Sequence, residues 1–439
     1  MSFLERNSKR IEITLIVVGL IVLFFCLPHF VSGDGYIRFR ALRRLVNADR
    51  IVSMGYSMVG PLFALLFWPL GKLYQSAEWW MARFNFFVFA AGLFFFYRLL
   101  RSHLDPAIVR RFLLILMFGS MFPNHLKDFY GETFTAVTVG LGVLATQLGR
   151  PAWGWSGMVL GAVNTPASMG GLGAVGVSET LNKKRFRFLL APMAGALLYL
   201  AESWIRRGTP WSSGYEGNTG AETVLTYSGQ PGFSYPLFFG LLSLLLSFGK
   251  GLAFYAPGLL LSFTAAMRSL GQELSRSHRL WMWFLMGLLL VYAKWWAWYG
   301  GWVWGPRFLL FASIPASFAL AVSLSRLTPA LARNLLLLGL LALSFWVGAN
   351  GAVYGLQGLE DCRAAEYEFL CWYVPEFSPL WRPFVVGSSF QGKELVLLGY
   401  GFAIFLYLAL PIAAELRRGL KRRFAEVRSQ YLQPGGWRF

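Results

Sequence analysis

IEITLIVVGLIVLFFCLPHFV, residues 11–31, runs directly into Ser32-Gly33-Asp34-Gly35-Tyr36. The run carries a single charge, Glu12, and follows Arg6, Lys9 and Arg10. About 20 apolar residues in a helix cross the ~30 Å hydrocarbon core of a bilayer. A secretory leader has a shorter apolar core and a small-residue cleavage site. Residues 11–31 therefore read as a retained membrane helix whose basic N-terminus lies in the cytoplasm. Asp34 then emerges just beyond the opposite face.

The pattern recurs along the chain. Of 439 residues, 56% are hydrophobic and 14% charged, with a mean hydropathy of +0.51. A soluble domain carries roughly 25% charged residues. This balance excludes a soluble enzyme, a disordered chain and a secreted disulfide scaffold. A transmembrane barrel would alternate polar and apolar residues with period two, and these runs do not. The net charge of +19 falls largely in short loops between apolar runs, which is orientation signal and headgroup contact rather than nucleic-acid binding.

Basic clusters at Arg98/Arg101/Arg110/Arg111, Arg150, Lys183–Arg187, Arg268/Arg276/Arg279, Arg326/Arg333 and from Arg417 onward mark cytoplasmic turns. Connecting them predicts an all-α polytopic protein with about twelve spans. These are 11–31, 80–98, 109–123, 133–149, 153–166, 168–181, 187–204, 252–268, 279–297, 307–325, 333–351 and 395–415. Val59–Leu70 and Pro236–Phe248 are short and bounded by Gly and Pro, and read as interfacial or dipping helices. Residues 1–325 form the expected catalytic module, with outer loops 32–79, 123–132, 205–251 and 298–307. Residues 326–439 add further spans, an outer loop at 352–394 and a basic cytoplasmic tail at 416–439. Glycines 170, 171, 173 and 176 suit close helix packing. Cys362 and Cys371 share the 352–394 loop, where an oxidising compartment would permit a disulfide.

Chemistry then concentrates at the outer surface. Asp34, flanked by glycines, is an accessible carboxylate suited to deprotonating a hydroxyl. It is equally compatible with a turn or helix-cap Asp. Arg38, Arg40, Arg43, Arg44 and Arg50 lie on the side where basic residues are disfavoured, and Arg pairs bidentately with phosphate. Asp128 and Glu132 sit at a helix mouth, where they would contact the acceptor or share a divalent cation, Mg²⁺ or Mn²⁺, with Asp34. Lys250, between Gly249 and Gly251, and Arg307 are further phosphate contacts. Five Trp and one Tyr fall within residues 294–304. Trp302 and Trp304, with Tyr36, present faces on which a sugar could stack.

Four segments together resemble the GT-C superfamily of polyprenyl-phosphate-sugar-dependent integral membrane glycosyltransferases. They are Gly33-Asp34-Gly35-Tyr36, Phe129-Tyr130-Gly131-Glu132-Thr133, Gly249-Lys250-Gly251-Leu252 with Tyr255-Ala256-Pro257, and Tyr299-Gly300-Gly301-Trp302-Val303-Trp304-Gly305-Pro306-Arg307-Phe308. The resemblance implies inverting transfer from a lipid-phosphate sugar, with Asp34 as base and basic residues, Arg307 above all, on the phosphate. It implies a lipid, glycan or protein acceptor, and a bacterial inner-membrane protein whose site faces the periplasm. Some branches carry paired acids in the first loop. Asp34 stands alone, which argues against the protein O-mannosyltransferase branch and leaves metal use open. The alternative reading is a transporter or flippase of a lipid-linked oligosaccharide. It would place ionisable residues within the membrane and broken helices in matched halves, whereas here the acids gather at the outer surface.

Overall fold

The computed structural model describes residues 3–48, 50–217, 219, 227–355, 362, 367–390 and 392–431. The expected loops 205–251 and 352–394 and the tail 416–439 therefore lie partly outside the described residues. Helices account for nearly all regular structure, and the described residues form no strand, only an isolated bridge between Thr219 and Pro231.

Most of the expected spans fall on helical backbone, although the helix of 11–31 ends at Cys26, that of 279–297 at Lys294, and 109–123 is interrupted between Phe118 and Phe122. Phe186–Arg207, Arg307–Leu324, Leu331–Val353 and Gly392–Glu426 are long and apolar enough to cross a membrane. Two expectations need correction. Residues 252–268 are not one helix but three short pieces, Leu252–Tyr255, Pro257–Leu261 and Ala265–Arg268. Pro257 lacks an amide hydrogen and ends the first piece. The span at 395–415 does not stop there. Gly392–Tyr431 is a single helix of 40 residues, about 60 Å at 1.5 Å per residue, so the basic tail begins as its continuation.

The two short apolar stretches are helical and shorter than a membrane-crossing helix. Val59–Ala64 passes into the 3-10 helix Leu65–Lys72 around Pro69. Leu237–Leu246 has ten residues, about 15 Å, half the hydrocarbon thickness. Close approach of backbones packs the interior. A Cβ on Gly287 would lie 2.3 Å from the carbonyl oxygen of Gly170, so Ser168–Lys183 and Gln272–Lys294 touch main chain to main chain.

Buried ion pairs clamp the ends carrying the basic clusters. Glu12, fully buried, accepts from Arg110 Nε at 2.6 Å, Arg111 Nε at 3.2 Å and Tyr407 Oη at 3.0 Å. Three helices distant in sequence are thereby joined. A buried carboxylate is tolerable only with such partners. At the opposite ends the chain after Phe3–Cys26 folds back, with Phe30 N donating to Lys127 O at 2.9 Å. It then enters the amphipathic helix Gly33–Ala48, which buries Gly35, Arg38, Phe39 and Leu42 and exposes Tyr36, Ile37, Arg40, Arg43 and Arg44. The 3–4-residue spacing of its buried positions makes one inward face.

Candidate active site

Gly33–Ala48 carries Asp34 in its first turn, and Glu132 opens the helix Glu132–Gln147. Arg307 follows the Gly-rich segment 300–305. These three residues, from three outer segments, converge. Arg307 Nη1 lies 2.7 Å from Asp34 Oδ2, and Arg307 Nε lies 3.8 Å from Glu132 Oε1. The guanidinium also faces the Tyr130 ring, 5.2 Å from its centroid. Asp34 Oδ1 accepts from Tyr56 Oη at 2.6 Å.

Burial alone would raise the pKa of Asp34. The Arg307 charge and the Tyr56 hydrogen bond override it and hold the carboxyl below its ordinary value. Asp34 is thus an anion at neutral pH. Burial, then the Asp34 charge, push Tyr215 up to about 12. Tyr215 packs edge-on against Tyr56 at 6.0 Å between centroids and against Trp295 at 5.9 Å.

Arg38, one helical turn after Asp34, is buried, with its guanidinium carbon 5.5 Å from the Tyr56 ring centroid. Its Nε has no partner. A Cβ on Gly131 would lie 2.5 Å from Arg38 Nη1, so only glycine lets the guanidinium lie against that turn. Arg40 and Tyr36 project from the exposed face of the same helix. They do not join Asp34: Tyr36, two positions on, is turned to nearly the opposite side of the helix, and Arg40, six positions on, is turned about 120° away.

Asp128 is placed as a brace. Its carboxylate accepts from Ser32 N at 3.1 Å, from Ser32 Oγ and from Phe129 N at 2.6 Å. Burial nevertheless raises its pKa to about 6. Two buried asparagines hold the turn that follows. Asn85 Nδ2 donates to Asp128 O at 2.6 Å and Tyr130 O at 2.9 Å, and Asn164 Nδ2 donates to Gly131 O at 2.8 Å.

Lys250 is also placed differently from the expected open phosphate contact. It is fully buried, and Nζ donates to Val303 O at 2.5 Å and Gly305 O at 3.0 Å. It lies 4.5 Å from the Trp372 ring centroid. Desolvation holds its pKa well below the ordinary lysine value. Lys250 therefore pins the segment leading to Arg307. Trp304 is buried as well, donating Nε1–H to Asn350 Oδ1 at 2.5 Å, so its faces are not open to a sugar. Trp302 is half-buried, 5.8 Å from Trp372. Cys362 and Cys371 form a disulfide beside Trp372.

Sequence reasoning missed the loop that supplies Tyr56. The end of helix Leu190–Arg207 holds it. Glu202 accepts from Ser57 Oγ at 2.9 Å and Met58 N at 2.8 Å, and Arg206 Nη1 donates to Tyr56 O at 2.7 Å. These contacts join residues about 150 positions apart, and no local pattern announces them.

The three carboxylates between which a divalent cation is left open already have partners. Asp34 and Glu132 both face Arg307, and Asp128 is committed to Ser32 and Phe129. Among the described residues no group of three His, Cys, Asp or Glu is placed to hold an ion.

No family model and no curated protein matches the chain. Among solved structures, the crystal structure of ArnT from Cupriavidus metallidurans bound to undecaprenyl phosphate is similar. Its TM-score is 0.53 at 14% identity, covering 96% of this chain and 81% of that one. Identity at that level speaks for the fold alone, an all-helical arrangement shared with that protein over nearly the whole chain.

Proposed function

We propose that this chain is an inverting glycosyltransferase of a bacterial inner membrane. It moves a sugar from a polyprenyl-phosphate donor to a hydroxyl of a lipid, glycan or protein acceptor on the periplasmic face. The observation that carries this reading is the anionic Asp34 held between Tyr56 and Arg307 at the outer helix mouths. The fold shared with ArnT, and the undecaprenyl phosphate held by ArnT, support a lipid-phosphate donor.

The chemistry follows from the geometry. The acceptor oxygen attacks the anomeric carbon while its proton passes to Asp34. The bond from that carbon to the phosphate oxygen breaks on the opposite face, and polyprenyl phosphate leaves. General-base help of this kind contributes about 10²–10⁴ in rate. Negative charge grows on the leaving phosphate, where Arg307 and Arg38 supply fixed positive charge. An incoming phosphate draws Arg307 away from Asp34, and losing that partner restores the basicity the carboxylate needs. Glu132 keeps the guanidinium in place meanwhile. No step calls for a metal ion.

The test is transfer by purified protein from radiolabelled polyprenyl-phosphate hexoses and pentoses to native lipid extract. Wild type is expected to transfer, and Asp34→Asn to lose transfer by about 10²–10⁴ while remaining folded. Transfer surviving Asp34→Asn would place the base elsewhere. Retained binding of lipid-linked sugar without transfer from any donor would favour the transporter.

A further inference from the structure

At the N-terminal end of helix Gln272–Lys294 lies a groove of about 570 Å³. It runs between that helix and the broken segment 252–268. His278 and Lys294 are 16 residues apart, about 24 Å along the helix, so the groove is remote from Asp34 and Arg307. It lies at the level of the basic clusters that mark the cytoplasmic turns.

Two observations single it out. First, it contains buried polar groups with no hydrogen-bond partner among the described residues. His278 is 4% exposed and neither ring nitrogen is hydrogen-bonded, and Ser262 Oγ, 6% exposed, is equally unpaired. Buried polar groups are ordinarily satisfied, so both point to a ligand. Second, Arg268 and Arg279 are exposed, and their guanidinium groups have no ion pair or hydrogen bond among the described residues. Neighbouring charges do pair. Arg276 Nη2 meets Glu179 at 2.7 Å, and Glu273 meets His103 at 3.3 Å.

The groove's lining holds the exposed Arg268 and Arg279 and the buried Ser262 and His278, and along the helix Met282 and Met286 follow Arg279 by three and seven positions. Arg279, Met282 and Met286 share one helix face by their 3–4-residue spacing. A glycerophospholipid presents the matching groups along the bilayer normal: phosphate, ester carbonyls, acyl chain. We propose that this groove binds an anionic phospholipid of the cytoplasmic leaflet. The phosphate sits on Arg268 and Arg279, the ester oxygens accept from Ser262 and His278, and one acyl chain lies along Met282 and Met286. Basic pockets between helices at the cytoplasmic surface suit such headgroups.

The experiment uses the full-length protein, delipidated in detergent. Dioleoylphosphatidylglycerol, dioleoylphosphatidylcholine and sodium phosphate are titrated separately, with binding followed by native mass spectrometry and by melting midpoint. Phosphatidylglycerol is expected to bind at a 1:1 stoichiometry and raise the midpoint, with the other two giving neither effect. The R268Q/R279Q double variant should keep the lipid-free midpoint and bind phosphatidylglycerol about tenfold or more weakly. Met286→Trp, filling the chain's path, should weaken it comparably with both arginines intact. Equal binding of the two lipids, unchanged affinity in R268Q/R279Q, or a full midpoint rise with sodium phosphate alone would overturn the proposal.

Discussion

Arg307 Nη1 lies 2.7 Å from Asp34 Oδ2, so the proposed base and the proposed phosphate contact neutralise each other before any substrate arrives. Both are largely buried, with 11% and 23% of their side chains exposed. The low dielectric strengthens that pairing. A donor phosphate competes for one partner and releases the other, and coupling of this kind would keep an idle Asp34 from acting on water.

Arg307 is accordingly expected to matter for both binding and chemistry. Arg307→Gln should lower kcat/KM for the donor by about 10²–10³, the loss typical of one preorganised donor at a charged transition state. Arg307→Lys keeps the charge but not the planar fork that reaches Asp34 and Glu132 together, and should recover only part of it. Initial rates against donor concentration check this. Wild-type kinetics in Arg307→Gln would remove it from the site.

Tyr56 tunes the base. It donates to Asp34 at 2.6 Å, and that bond helps hold the Asp34 carboxyl below its ordinary value. A base works ionised, so activity falls as pH drops through its pKa. The depressed pKa therefore predicts a wild-type acid limb in the free enzyme that lies below the ordinary carboxylate range. Tyr56→Phe removes one hydrogen bond to the anion and should move that limb to higher pH, with a smaller loss near neutrality. A kcat/KM–pH profile of both proteins checks the direction. An unmoved limb would separate Tyr56 from the base.

The positive charge between Asp34 and Glu132 belongs to Arg307, so transfer should not depend on a divalent cation. Dialysis against EDTA is expected to leave the rate within about twofold of untreated enzyme. General-base and guanidinium catalysis need no Lewis acid. Loss of activity in EDTA and its return with Mg²⁺ or Mn²⁺ would show that the carboxylates rearrange around an ion.

Much of this arrangement can be read from the chain alone, for a physical reason. A bilayer forces polar residues to helix mouths, so Asp34, Glu132 and Arg307, each beside an apolar run, had few places to be. The helices were legible because 20-residue apolar runs have little alternative in lipid. What was not legible depends on distant contacts. Lys250 between two glycines looks accessible, and its burial arises from Trp372 and the 303–305 carbonyls folding over it. Trp304 is drawn inward by Asn350, 46 positions later. Tyr56 reaches Asp34 only because Glu202 and Arg206 hold its loop from another helix. The broken span at 252–268 had its signal in Pro257, outweighed in a hydropathy reading by the surrounding apolar residues.

The support beneath Arg307 yields the last prediction, because it contains a carboxyl that titrates near neutrality. Glu368 is 5% exposed, and burial raises its pKa to about 7, against hydrogen bonding from Tyr299 and the charge of Lys250. Tyr299 stacks on Trp372 at 5.0 Å, the ring that also covers Lys250. A carboxyl whose folded pKa exceeds its unfolded one contributes stability that is fully present below the unfolded value, about 4.5, and is lost as pH rises through about 7. Glu368→Gln is neutral at every pH and keeps the shape. The wild type should therefore melt close to Glu368→Gln at pH 5 and fall below it by pH 8, a change of a few degrees. Comparing the two proteins cancels the opposite contribution of His125, whose pKa burial lowers to about 4. Lys250→Met should lower the midpoint at both pH values, since the carbonyls of Val303 and Gly305 lose their buried donor. Melting curves of the three proteins at the two pH values suffice. A wild-type advantage that grows from pH 5 to pH 8 would mean Glu368 is held as an anion, with Lys250 charged beside it.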